Sequence, residues 1–164
     1  MSKNVVYREY GGKTRIRVCG VLVEGDAVLL VRHKGLNKSN EFWLPPGGGL
    51  EHGASVEQNL IREIKEETGL EVKVVRFLFT TEYFSPPLHA IELFFEVEKI
   101  KGTLCVGNDP ELKSTEQLID KVEMLDFNTI NSLPRDAVHG ILRQCHNCSE
   151  LLSLQGFFKF ENYV

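Results

Sequence analysis

The sequence lacks most of the features that mark specialised proteins. No apolar run approaches the roughly 20 residues that a membrane span requires, so no membrane partner is expected. The first residues, Met1-Ser2-Lys3-Asn4-Val5-Val6-Tyr7, have no apolar stretch of the kind a secretory signal carries. Fourteen glycines and six prolines are too few for a collagen-like or linker-like chain. There is no internal repeat and no low-complexity tract. Nor is there an excess of basic charge: 19 Lys and Arg stand against 23 Asp and Glu, a net charge of −4. That argues against a protein whose task is coating a nucleic acid polymer. It leaves room for a small anionic substrate, because a divalent ion reverses the sign locally. Cysteine is limited to Cys19, Cys105, Cys145 and Cys148. Without a secretory signal these read as reduced thiols, and the expected location is cytoplasmic.

What is present fits one globular domain. The chain has 164 residues, 42% of them apolar and 26% charged. A chain of this length buries roughly 70% of the surface its unfolded form exposes, so the core needs no staple. Ile16–Val23 and Ala27–Val31 are β-type runs around Glu24-Gly25-Asp26 and read as a hairpin. Phe42-Trp43-Leu44 is stopped by Pro45-Pro46-Gly47-Gly48-Gly49, a loop signal. Ser55 with Gln58 three residues on is a capping box. Val56, Leu60, Ile61 and Ile64 follow at helical spacing, and Gly69 stands where a left-handed C-cap favours glycine. Strands are expected over Val72–Thr80, around Ile91–Val97 and over Val122–Phe127, with a long loop across 101–119. A second amphipathic helix is expected from Pro134 to His146. Strands interleaved with two helices indicate an α/β layered domain.

The chemistry concentrates in Arg62-Glu63-Ile64-Lys65-Glu66-Glu67-Thr68-Gly69-Leu70. Glu63, Glu66 and Glu67 are related as i, i+3 and i+4, so they share about 100° of helix surface. The apolar stripe lies on the adjacent face. Three like charges this close repel unless a divalent cation sits among them, and their hard oxygen donors suit Mg²⁺ or Mn²⁺. Three glutamates alone also make an ordinary solvated face, with Arg62 and Lys65 as partners. The glycines just upstream add a second feature. Without a Cβ, Gly47, Gly48 and Gly49 let backbone approach a phosphate or a metal closely.

From Gly48 through Arg62-Glu63-Ile64-x-Glu66-Glu67-x-Gly69-Leu70, the segment resembles the signature box of the Nudix hydrolases. It spans 23 residues and agrees at eight of nine fixed positions. The flanking Trp43-Leu44-Pro45 and the neighbouring strands extend the likeness over about residues 15–145. The departure is Ala54, where the family places a glutamate; Glu51 and Glu57 are the nearby acids. The resemblance implies an α/β/α sandwich with a mixed β-sheet between helices. In that frame residues 1–14 are an N-terminal arm or edge strand and 15–148 the hydrolase domain. Residues 149–164 are an aromatic tail packed on the same domain, a candidate edge strand or homodimer contact.

The resemblance also implies metal-dependent hydrolysis of a diphosphate linkage in a nucleoside diphosphate derivative. Glu63, Glu66, Glu67 and the Gly47 carbonyl would hold the metal, with Arg62 orienting the glutamates. The general base is expected either among the box glutamates or in a distant loop, with Glu116 first and Glu111 second. The substrate side is assigned to Gly48, Gly49, Phe84 and Pro86. Pro86 lies sixteen residues after Leu70, a spacing that resembles enzymes acting on ADP-ribose. Ser85-Pro86-Pro87 is equally ordinary turn chemistry. Other readings are an oxidised nucleoside triphosphate pyrophosphohydrolase, a weakly catalytic nucleotide sensor suggested by Ala54, and a diphosphate-ester isomerase. Cys145-His146-Asn147-Cys148 has no second pair at zinc-site spacing, and His33, His52, His89 and His139 read as isolated.

Overall fold

A computed structural model describes residues 11–34, 39–86, 88–107 and 117–161. The elements run β1 (Thr14–Val21), β2 (Val23–Glu24), β3 (Ala27–His33), β4 (Phe42–Leu44), β5 (Gly47–Gly49) and α1 (Val56–Thr68). They continue with β6 (Glu71–Ser85), β7 (Leu88–Lys101), β8 (Ile119–Asp126), α2 (Phe127–Ser132), α3 (Cys148–Ser153) and β9 (Gly156–Glu161). Between α2 and α3 lie two short 3-10 turns, Arg135–Ala137 and Gly140–Gln144.

A five-stranded mixed sheet has the order β5-β1-β7-β6-β9. The β1–β7 and β6–β9 pairs are parallel, while β1–β5 and β6–β7 are antiparallel. A smaller antiparallel sheet gathers β2, β4 and β8 around β3. Alternation along β1 divides the interior. Val18 joins Leu44, Leu60, Ile64 and Val97 beneath α1. Cys19 and Val21 join Phe79, Phe94, Ile141, Leu142 and Leu151 in the second core, where Phe79 stacks on Phe94 at 4.6 Å. The result is the expected α/β architecture.

Helix α1 is the part most directly dictated by sequence. Ser55 accepts from the Gln58 N–H at 3.1 Å, and the Gln58 side chain accepts from the Ser55 N–H. Gly69 closes the helix at φ 74° and donates to the Lys65 carbonyl. Leu60 and Ile64 are fully buried, each stabilising by roughly 1.5–3 kcal/mol relative to exposure. The stripe faces the mixed sheet, so the neighbouring carboxylate face turns toward the glycine loop.

Three local expectations are corrected. Residues 16–31 are not one continuous hairpin. The chain breaks at Leu22, only Val23–Glu24 folds back on β3, and β1 belongs to the other sheet. Gly47–Gly49 is a strand rather than a loop, with Gly48 opposite Val18. Gly47 lies so close to β1 that a Cβ there would fall 2.0 Å from the Val18 carbonyl oxygen. Residues 134–146 do not form a single helix. Val138 is extended and bridges Trp43 in parallel, and the His139 N–H donates to the Trp43 carbonyl at 2.8 Å. Those long-range bonds compete successfully with helix propagation, although Val138, Ile141, Leu142 and Cys145 are buried as the apolar stripe predicts. Helices α2 and α3, capped by Asp126 and Asn147, were not anticipated. The aromatic tail supplies β9, the outer strand beside β6.

Candidate active site

The glycine strand and α1 are fastened together by side chains that satisfy exposed backbone groups. Asn59 is buried on the first turns of α1. Its Nδ2 donates to the Gly49 carbonyl at 3.0 Å, and its Oδ1 accepts from the Glu51 N–H at 3.1 Å. In the last turn of the helix, Glu67 Oε2 accepts from the Gly47 N–H at 2.8 Å. The Gly47 carbonyl accepts from Arg17 Nη2 of β1 at 3.0 Å. Both polar groups of Gly47 are therefore held by charged side chains, which makes these bonds stronger than neutral ones.

Arg62 gathers the acids on the outer side of the helix. Its guanidinium lies 2.8 Å from each of Glu51, Glu63 and Glu66, and 3.3 Å from Asn59 Oδ1. Of the two acids flanking Ala54, Glu51 is the one that reaches Arg62. A different backbone position thus gives the arginine a carboxylate partner despite Ala54. Burial raises the Glu63 pKa above the usual carboxylate value; Arg62 opposes that rise and Glu66 adds to it.

Glu63, Glu66 and Glu67 line one cleft, whose other walls include His33, Gly107 and Gln117. The loop side of that cleft is fixed to the helix end, because the Gly107 N–H donates to the Glu67 carbonyl at 2.9 Å. Among the described residues, no three acidic, histidine or cysteine side chains already converge as a metal cage. Glu63 and Glu66 face Arg62, and Glu67 faces the Gly47 amide. The donor chemistry nonetheless fits a hard divalent ion: three carboxylates line one cleft, and one of them, Glu67, is bonded to the Gly47 backbone. The space is also cut for it. A Cβ on Gly48 would come within 2.2 Å of the Glu63 carboxyl carbon, so the missing side chain is what lets that carboxylate lie over the strand.

The remaining expected residues divide clearly. Gly48 and Gly49 lie beside the site on β5. Phe84 and Pro86 stand at the exposed tip of the β6–β7 hairpin, and neither lines the glutamate cleft. Phe84 packs edge-on against His89 at 5.1 Å. Glu116 and Glu111 fall outside the described residues, as does Pro87. Cys19, Cys105, Cys145 and Cys148 are free thiols.

Five residues near the site escaped the sequence reading besides Asn59. Arg17 is mostly buried below Gly47, and its Nη1 lies 3.9 Å from Glu92 of β7. Glu92 is 4% exposed and accepts from Thr81 Oγ1 at 2.9 Å, while His139 Nε2 lies 2.8 Å away. Burial acts to raise the Glu92 pKa, but His139, Arg17 and Thr81 outweigh it and bring it down to about 2. The β1 and β7 register gave the only available hint, since both charges sit in strands otherwise rich in apolar residues. His33 was read as isolated; its Nε2 is buried without a hydrogen-bond partner among the described residues, and burial with the Arg17 charge brings its pKa down to about 3.

Comparison with known proteins agrees with this geometry. Residues 13–141 match the NUDIX domain family model. An ADP-ribose pyrophosphatase of Methanocaldococcus jannaschii is 32% identical over 123 residues, 74% of this chain and 67% of that protein. An 8-oxo-dGTP diphosphatase of Proteus vulgaris is 40% identical over 63 residues, 38% of this chain and 56% of that protein. The crystal structure of a UDP-X diphosphatase superposes with a TM-score of 0.62 at 22% identity, covering 94% of this chain and 72% of that one. The signature helix, the glycine strand that carries its partner backbone, and a family match across most of the length lead to one conclusion: the chain belongs to the Nudix hydrolase family.

Proposed function

We propose that this protein hydrolyses the diphosphate linkage of a nucleoside diphosphate derivative with the aid of Mg²⁺ or Mn²⁺, and that its substrate is ADP-ribose or a nucleotide sugar. The observation that carries this reading is the meeting of Glu63, Glu66 and Glu67 in one cleft beside Gly47 and Gly48. The reaction adds water across the P–O–P bridge: the water oxygen joins one phosphorus, and the bridging oxygen leaves with the other. A bound divalent ion supplies charge stabilisation at the phosphoryl oxygens and acidifies water.

In this chain Glu63, Glu66, Glu67 and the Gly47 carbonyl would hold the ion. Arg62 orients Glu63 and Glu66 through its 2.8 Å ion pairs. Glu67 and Arg17 keep the Gly47 peptide in place. The proton acceptor is assigned to a box glutamate, Glu66 or Glu67, or to Glu116, which precedes β8 in sequence. Gly48 and Gly49 leave room for the diphosphate, and Phe84 and Pro86 are assigned to the base or sugar end.

The archaeal relative supports ADP-ribose as substrate, and the fold likeness to the UDP-X diphosphatase is consistent with nucleotide sugars. The 63-residue likeness to the 8-oxo-dGTP diphosphatase favours a second reading, an oxidised nucleoside triphosphate as substrate. Free thiols fit a reducing cytoplasm, and among the described residues no helix is long and apolar enough to cross a membrane. Exposed Phe157 on β9 and Phe77 on β6 fit a homodimer contact. A phosphate-release panel with Mg²⁺, containing ADP-ribose, nucleotide sugars, dinucleotide polyphosphates and oxidised triphosphates, tests the assignment. Fastest turnover of ADP-ribose or a nucleotide sugar is expected. Preference for the oxidised triphosphate selects the second reading, and tight binding without turnover selects the sensor.

A further inference from the structure

The buried arginine beneath the glycine strand has no role in the signature box, yet its surroundings are too specific for a passive core residue. Arg17 lies in β1 directly opposite Gly49, and its guanidinium reaches back to the Gly47 carbonyl at 3.0 Å. Its Nε is buried with no hydrogen-bond partner among the described residues. A buried cation of this kind is expensive unless its surroundings compensate it. The compensation comes from one side by Glu92, itself fixed by Thr81 and His139, and from the other by the carboxylates of α1. The chain His139–Glu92–Arg17–Gly47 therefore runs from the second core to the glycine strand beside the α1 carboxylates. The preceding peptide, Pro46–Gly47, is held from α1, where Glu67 takes the Gly47 N–H.

We propose that Arg17 is a positioning residue, anchored by Glu92, that fixes the orientation of the Gly47 peptide for a divalent ion held by α1. The inference rests on the metal-dependent reading above and adds to it a part outside the signature. The geometry separates this role from simple electrostatics. A cation near a metal site weakens metal binding by repulsion, so removing a passive arginine tightens it. Losing a device that pre-orients a ligand oxygen weakens binding even when the charge is retained, because the peptide must then be ordered when the ion arrives. Lysine in place of arginine keeps the charge and loses the planar fork that can address a carbonyl and a carboxylate together.

The test uses the full chain and Mn²⁺ alone, with free Mn²⁺ followed by electron paramagnetic resonance. In parallel, the Gly48 amide, which shares its peptide unit with the Gly47 carbonyl, is followed by NMR in metal-free protein. Arg17→Lys is expected to weaken Mn²⁺ binding at least about fivefold, to shift the Gly48 amide resonance and to speed its hydrogen exchange. Glu92→Gln, which retains size and leaves Arg17 in place, is expected to act in the same direction with a smaller effect. The double variant is expected to lose no more than Arg17→Lys alone, since both act through one path. Unchanged or tighter Mn²⁺ binding by Arg17→Lys, with the Gly48 amide unmoved, overturns the proposal; a lower melting temperature alone does not rescue it. If Arg17→Lys fails to fold, Glu92→Gln decides by the same two readouts. A wild-type chain that takes up no Mn²⁺ overturns the metal-dependent reading and this inference together, whereas wild-type uptake with an unaffected Arg17→Lys overturns the inference alone.

Discussion

Arg62 and Arg17 flank the same glycine strand and show two ways of building one site. Arg62 stands on α1, about one-third exposed, and pairs with Glu51, Glu63 and Glu66. Glu66 lies four residues on, where helix geometry brings the pair together, and Glu63 is the next residue in the chain. Arg17 stands on β1, mostly buried, and its partners come from β5 and β7, thirty residues and more away. The exposed arginine manages repulsion among acids that water also screens. The buried one has no water to rely on, so every group around it has to be placed by the fold. The comparison teaches that the helix supplies the carboxylates of the proposed metal site, whereas the sheet supplies the rigidity of the backbone beside them.

The largest expected effect comes from the acid that touches both systems. Glu67→Gln is expected to lower kcat by about 10²–10⁴-fold, the range for removing a residue that acts on the reacting groups, while leaving the fold intact, because a glutamine oxygen still accepts the Gly47 N–H. Steady-state kinetics with a thermal melt check this, and a near-wild-type rate removes the assignment. On the buried side, Glu92→Gln is expected to destabilise by about 3 kcal/mol near neutral pH, since it leaves Arg17 without its charged partner. The pH dependence has a defined sign. Glu92 is depressed from 4.5 to about 2, so its contribution is complete above pH 4.5 and is lost as the pH falls toward 2. Urea unfolding at pH 7, 4 and 2.5 should show the wild type losing stability over that interval more steeply than Glu92→Gln. Parallel curves contradict the ion-pair account.

A smaller change tests the fastening between the two regions. Asn59→Ala removes bonds to the Gly49 carbonyl and the Glu51 N–H and is expected to cost about 1–3 kcal/mol, measured by denaturant unfolding. The smallest effects concern the exposed arginine. Glu51→Ala is expected to reduce kcat/KM only severalfold, in keeping with a partly screened ion pair. Ala54→Glu is expected to leave activity equal or higher in the wild type and to restore it in the Glu51→Ala background. A clear loss on Ala54→Glu would mean that the site has adapted to the small side chain.

Legibility in the sequence followed the range of the interactions. The capping box, the Leu60 and Ile64 stripe, the Gly69 cap and the shared face of Glu63, Glu66 and Glu67 all depend on neighbours a few residues apart, and all were readable. The Glu51–Arg62 pair was readable only as one of two options, because loop geometry chose between Glu51 and Glu57. Residues 134–146 carried a correct apolar stripe but the wrong backbone. The bridge from Val138 to Trp43 and the bond from His139 to Glu92 span too much sequence to leave a periodic trace. For the same reason Arg17 and Glu92 looked like ordinary strand charges, and His33 like an isolated histidine, until the fold placed the first two beside the glycine strand and the third in the cleft wall.

The central claim is that the α1 carboxylates and the glycine strand use a divalent ion to cut a diphosphate bridge. Its most direct test is the rate of ADP-ribose hydrolysis by the wild-type chain, with product identification, across a Mg²⁺ titration that starts from chelated enzyme. The account predicts no turnover with chelator, a saturable rise with Mg²⁺, and AMP with ribose 5-phosphate as products. Turnover that is indifferent to Mg²⁺, or cleavage anywhere other than the diphosphate bridge, would contradict it.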